Sequence, residues 1–176
     1  MKTALFRAIL LTTFAATTLA AADQAPPFDY FVNLSKWPNQ TLADGSWIEK
    51  VFINIGNNAT PGSAPAGQQF NVTFKVTNAA GAEVCNRFRL QDAPIPSGKA
   101  WGTYSFQVLH PKPHRIAGHD LQLEQSTPYA LNATIMPERY ASDVNKSNNT
   151  ASQTFPFTGG GVPSCEEYPR PAFHTP

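Results

Sequence analysis

Three histidines crowd one short stretch, His110-Pro-Lys-Pro-His114-Arg-Ile-Ala-Gly-His119, at spacings of four and five residues. Imidazole is a common ligand for zinc and copper, so His110, His114 and His119 have the types and spacing for a shared cation. Their surroundings argue the other way. Pro111 and Pro113 stiffen the segment, Lys112 and Arg115 would repel a cation, and Asp120 is the only evident acidic neighbour. Three solvated loop histidines is the simpler reading, and no cofactor is expected. A blue-copper site wants Cys, His and Met close together, whereas Cys85 has no near histidine and Met136 stands alone. Hydrolysis needs a nucleophile with an adjacent base, and no Gly-x-Ser-x-Gly elbow occurs. Glu166-Glu167 reads as a solvated chain end rather than a glycosidase couple. Gly159-Gly160-Gly161 lacks the lysine and helix of a phosphate loop. The expectation is a protein that is not an enzyme.

Other residues point to export and binding. Cys85 and Cys165 are the only cysteines. In an exported chain such a pair reads as a disulfide, worth roughly 4 kcal/mol in the chain-entropy model for a loop of this length. The alternative is two free thiols, one in a strand and one in a tail. Of the three tryptophans, Trp37, Trp47 and Trp101, the last lies beside Gly98 and Gly102. That places it in a loop, as a stacking platform for a sugar or protein partner or tucked over the edge of the fold. Asn-x-Ser/Thr triplets begin at Asn33, Asn39, Asn58, Asn71, Asn132, Asn145 and Asn148. In a eukaryotic secretory pathway several of these would carry glycans; in a bacterium they are Asn- and Thr-rich surface.

The elements that must hold these residues are strands. Gly67 to Asn78 reads Gly-Gln-Gln-Phe-Asn-Val-Thr-Phe-Lys-Val-Thr-Asn, with Phe70, Val72, Phe74 and Val76 on one face and polar residues on the other. Strict alternation of this kind marks a half-buried antiparallel strand. Trp47–Ile55, Glu83–Leu90, Thr103–Leu109, Leu121–Leu123, Tyr129–Ile135 and Ala151–Phe157 follow the same period. In Glu83–Leu90, Val84, Phe88 and Leu90 form the apolar face and Cys85 lies opposite. Sixteen prolines and eleven glycines punctuate 176 residues, of which 14% are charged, a composition of short strands joined by turns. The fold class is an all-β, immunoglobulin-like antiparallel β-sandwich of seven to eight strands.

Lys2 and Arg7, an apolar run from Ile9 to Leu19 and Ala20-Ala21-Ala22 have the form of a signal peptide over residues 1–22. Residues 23–46 read as an N-terminal extension or edge strand, because Phe28, Tyr30, Val32 and Leu34 alternate. The sandwich is expected over 47–158 and a flexible C-terminal tail over 159–176. Secretion or a periplasmic location follows, with no membrane span. A formal net charge of +1 argues against nucleic acid as a partner.

Tyr129-Ala-Leu-Asn-Ala-Thr-Ile-Met-Pro, followed by Asp143-Val-Asn-Lys-Ser-Asn-Asn-Thr-Ala151, resembles the last two strands of CARDB-type, cell-adhesion-related domains. Ala66-Gly67-Gln68 and Val76-Thr77-Asn78-Ala79-Ala80-Gly81 resemble the same family's earlier turns, so the likeness covers roughly residues 47–157. Met136-Pro137 replaces the family's Asp-Pro, the central loops are longer, and the family does not call for Cys85 and Cys165. The resemblance implies a bacterial source and a non-catalytic module of the immunoglobulin/fibronectin type III kind that contacts a protein or a glycan. Read physically, Tyr129 suits a tyrosine corner, and the side-chain amides of Asn148 and Asn149 suit a bridged turn. Assembly by strand addition, with residues 23–37 donated to a neighbour's edge, is the second reading and allows self-association.

Overall fold

The computed structural model describes residues 28–60, 69–91, 95–112, 115–116, 119–120, 126–138 and 143–169, without the side chains of 91, 115–116 and 119–120. The strands are β1 Tyr30–Thr41, β2 Trp47–Asn57, β3 Phe70–Asn78, β4 Glu83–Gln91, β5 Lys99–His110, β6 Arg115–Ile116, β7 His119–Asp120, β8 Ser126–Pro137, β9 Thr150–Thr158 and β10 Val162–Glu167. Two four-stranded sheets form, in the orders β1-β2-β5-β10 and β4-β3-β8-β9, and β6-β7 is a separate two-residue ribbon. Every ladder in the two sheets is antiparallel.

The core follows from period-two alternation. Phe70, Val72, Phe74 and Val76 of β3 are at most 1% exposed, and Leu131, Ala133 and Ile135 of β8 point the same way. Val51, Ile53 and Ile55 of β2, with Tyr104, Phe106 and Val108 of β5, supply the facing layer. Aromatic rings knit the layers together. Phe106 of β5 meets Tyr129 at 4.8 Å and Phe157 at 5.1 Å, Phe74 stacks on Tyr104 at 5.8 Å, and Tyr30 meets Phe70 at 5.2 Å. Each such pair contributes about 0.5–1.5 kcal/mol beyond the area it buries.

Both long edges are fastened. On one side the Cys85–Cys165 disulfide joins β4 to β10 across a Cα–Cα distance of 6.5 Å, and Arg89 forms an ion pair with Glu167 beside it. On the other, Lys36 of β1 donates to the Pro156 carbonyl of β9 at 3.0 Å.

Four expectations need correction. Residues 162–167 are not a flexible tail but a strand paired with Tyr104–Leu109 of β5. Residues 30–41 form the edge strand expected within 23–46, pairing with β2 from Tyr30↔Asn57 to Thr41↔Trp47, and not a strand donated to a neighbour's sheet. In β4 the parity is reversed: Cys85 is buried, while Phe88 and Leu90 are 64% and 51% exposed, since the disulfide turns Cys85 toward β10. The stretch from Asp92 to Gly102 is not all loop, because β5 begins at Lys99. The signal-peptide segment, Leu121–Leu123 and residues 170–176 lie outside the described residues.

Candidate functional site: the outer face of the first sheet

Alternation that buries Val51 and Ile53 turns Lys50, Phe52 and Asn54 outward on β2. Register then sets Trp37 opposite Lys50, and Lys50 opposite Gln107, while Ser35, Phe52, Ser105 and Glu166 share the next row. Trp37 is 58% exposed. Its ring centroid lies 5.0 Å from that of Phe52, and Phe52 lies 5.6 Å from Tyr168, so three aromatic rings run in a row across the sheet. Tyr168 follows β10 and is held through its backbone: its N–H donates to the Thr103 carbonyl at 2.9 Å, and its own carbonyl accepts from Arg89 at 2.9 Å.

A polar cluster runs alongside. Lys50 Nζ donates to Glu166 Oε2 at 3.0 Å and to the Tyr168 hydroxyl at 3.1 Å. The Tyr168 hydroxyl donates to Glu166 Oε2 at 2.7 Å, and Gln107 Nε2 donates to Glu166 Oε1 at 2.8 Å. The Tyr168 hydrogen bond, helped by Lys50 and Gln107 and opposed by burial, holds the Glu166 carboxyl below the usual glutamate range. Burial disfavours the Lys50 cation, but bonds to Tyr168 and Glu166 outweigh it and raise its pKa. Lys50 also lies 5.5 Å from the Phe52 ring centroid, a cation–π contact. Gln107 Oε1 is buried with no hydrogen-bond partner among the described residues. The face thus combines flat apolar rings with fixed donors and acceptors.

The sequence reading names Trp37 only as one of three tryptophans and takes Glu166 for a solvated chain end, whereas Glu166 lies in β10 bonded to Lys50, Gln107 and Tyr168; it does not single out Lys50, Phe52, Gln107 or Tyr168. Phe52 and Lys50 were legible as outward positions on β2, but Tyr168 and Glu166 belong to a segment whose strand character only the β5 pairing creates.

The residues singled out from sequence fall elsewhere. Trp101 is not an exposed platform: it lies within β5, is 8% exposed, and packs near Phe70 at 6.3 Å. Past the register shift between Ile53 and Asn54, Trp101 pairs with the inward-facing Ile55, whereas Ser105, before the shift, faces outward beside Tyr168. His110 is not a loop residue but the last residue of β5, 1% exposed. Its Nε2 lies 3.1 Å from Glu49 Oε2, and its ring stacks on Trp47 at 3.9 Å. Burial lowers the His110 pKa, and Glu49 pulls it back only in part. Glu49 also accepts from the Thr158 N–H at 2.6 Å and from Lys36 Nζ at 3.2 Å, so this cluster ties the first sheet to β9. His114 and the His119 side chain lie outside the described residues, so the three histidines are not shown together.

Among the sequons, Asn33, Asn39, Asn58, Asn132 and Asn145 are exposed and Asn71 is half-buried. Asn33 shares the candidate face, where it accepts from Asn54 Nδ2 at 3.1 Å. Asn148 is engaged, its Nδ2 donating to Asp29 at 2.8 Å and its Oδ1 buried.

No family profile matches the chain, and no curated protein matches it. Among solved structures, a β-glucuronidase from glycoside hydrolase family 2 is similar at 15% identity, covering 69% of this chain and 11% of its own, with a TM-score of 0.35. Bacteroides uniformis β-glucuronidase 2 is similar at 10% identity over 73% of this chain and 13% of its own, TM-score 0.37. A Bordetella pertussis protein assigned as ApaA is similar at 16% identity over 84% of this chain and 99% of its own, TM-score 0.34. The chain therefore spans little more than a tenth of the length of the two glucuronidases.

Proposed function

We propose that this chain is an extracytoplasmic, non-catalytic binding module that takes a saccharide on the outer face of its first sheet. The observation that carries the reading is the row Trp37, Phe52, Tyr168 beside Lys50, Glu166 and Gln107. Pyranose rings present apolar C–H faces that stack on aromatic side chains, and hydroxyls that both donate and accept. An exposed indole next to a carboxylate, an amide and an ammonium answers both demands. The disulfide and the sequence signs of a signal peptide support an oxidising, exported setting, and among the described residues no helix is long and apolar enough to cross a membrane. The CARDB resemblance supports a module without chemistry of its own.

Titration of the protein with soluble glycans, followed by intrinsic tryptophan fluorescence, tests this. Trp37→Ala is expected to weaken binding at least about tenfold, the loss of a stacking contact of roughly 1.4 kcal/mol or more, while the melting temperature stays unchanged. A broad glycan panel that produces no saturable change in the native protein would sink the proposal.

A protein partner is the second reading, and a different observation favours it. Phe88, Leu90 and Met136 are 64%, 51% and 55% exposed, and register places Leu90 and Met136 on either side of Asn71. Phe88 and Leu90 lie on the edge strand β4 and Met136 on β8 of the second sheet, and β4 has neither proline nor glycine to discourage pairing. Phe88→Ser with Leu90→Ser should then abolish any concentration-dependent shift in sedimentation, and the absence of such a shift in the native protein removes self-association.

A further inference from the structure

Charges on the outer face of the first sheet are few and unevenly covered. Among the described residues at the outward positions of β1, β2, β5 and β10, only Lys50 and Glu166 are charged. They pair at 3.0 Å, with the lysine side chain 20% exposed and the glutamate 42%. Arg89 and Glu167, at the β10 edge, repeat the bias with 19% and 45%. In both pairs the base is tucked away, and the carboxylate is what a ligand meets. The Tyr168 hydrogen bond holds the Glu166 pKa down, so this carboxylate is ionised at neutral pH.

Hydrogen-bonding capacity is lopsided in the same direction. Lys50 Nζ spends donors on Glu166 and on the Tyr168 hydroxyl, and that hydroxyl spends its one hydrogen on Glu166. Gln107 Nε2 gives a hydrogen to Glu166 Oε1. Asn54 Nδ2 divides its two between Asn33 Oδ1 at 3.1 Å and Ser35 Oγ at 2.8 Å. Most of the donors are thus consumed within the face. Acceptors are left over: Glu166 Oε1 and Asn33 Oδ1 each take one of these bonds, and such oxygens have two lone pairs.

Resting on the saccharide reading above, we propose that this face selects uncharged saccharides over acidic ones, and that Glu166 sets the choice. The aromatic row stacks on the C–H face of any pyranose, so discrimination falls to the polar groups beside it. A hydroxyl can donate to the spare lone pairs, and its bond to an ionised carboxylate is charge-assisted. A uronate or a sulfate only accepts. It would find the Lys50 hydrogens largely used and the Glu166 charge standing in front of Lys50, and like charges set together suppress binding.

The test is fluorescence titration of the full chain with neutral hexose oligosaccharides, each matched to the same oligosaccharide carrying a carboxylate at C6. The neutral member of a pair that binds is expected to bind about tenfold or more tightly than its acidic counterpart. Equal or tighter binding of the acidic member would overturn the selectivity and leave the saccharide reading standing. Saturable binding by neither member of any pair would overturn both. Glu166→Gln, shown to be folded by a cooperative melt, leaves the Lys50 charge uncompensated and should bring the neutral-to-acidic affinity ratio close to one. An unchanged ratio in that variant would remove Glu166 from the role. The comparison within the native protein decides the selectivity even if the variant fails to fold.

Discussion

His110 shows how one strand position can set an ionisable ring beside a buried carboxylate. Its ring nitrogen faces Glu49, its face covers Trp47, and Lys36 reaches the same carboxylate from β1. Its folded pKa lies below the ordinary value of about 6.5. Between those two values the unfolded chain holds more protons, so stability is full above about pH 6.5 and is lost as pH falls toward the folded value. One proton sets a ceiling of about 1.4 kcal/mol per pH unit on that slope. Urea midpoints at pH 7.5, 6.5 and 5.5 should fall in that order, and the decline should flatten in His110→Gln. The tryptophans make a second contrast at this scale. Trp101→Ala, at a buried position, is expected to cost about 3–5 kcal/mol, and Trp37→Ala, at an exposed one, less than about 0.5 kcal/mol. Chemical denaturation of both variants measures the difference. From sequence, Trp101 beside two glycines looked like a loop residue, because the glycine at 102 serves a strand as readily as a turn when a neighbour packs against it: a Cβ there would lie 3.4 Å from Phe52 Cδ1.

The same ambiguity decides the elements. β10 follows three glycines and carries a proline, so no local signal marks it as a strand; its partner β5 makes it one. The approach is close. A Cβ at Gly161 would lie 2.7 Å from the His110 ring, so Gly161→Ala is expected to destabilise by about 1–3 kcal/mol through overpacking, as thermal melting would show. Reduction of the disulfide acts on the same element: Cys85→Ser with Cys165→Ser should cost about 2–5 kcal/mol and, if the face depends on β10, weaken saccharide binding as well. Strong alternation left no such ambiguity in β3 and β8, which are adjacent in the centre of the second sheet. In β4, periodicity alone was read with the wrong face inward, since an edge strand can turn its apolar residues outward when a disulfide claims the other side.

Across the whole molecule, the groups of the candidate face come together from strands distant in sequence. The candidate face unites Trp37, Phe52, Gln107, Glu166 and Tyr168 from four strands and the segment beyond the last. The sequence by itself determined the all-β class and the inward faces of β2, β3, β5 and β8, because period-two burial is a local signal; it favoured the Cys85–Cys165 pair, which the structure joins. Tertiary structure alone decided that β1 and β10 complete the first sheet, that His110 and Trp101 are buried, and that an aromatic row lies outside. Those outcomes depend on which strands become neighbours, and hydrogen-bond pairing between distant segments is not written in the period of either one.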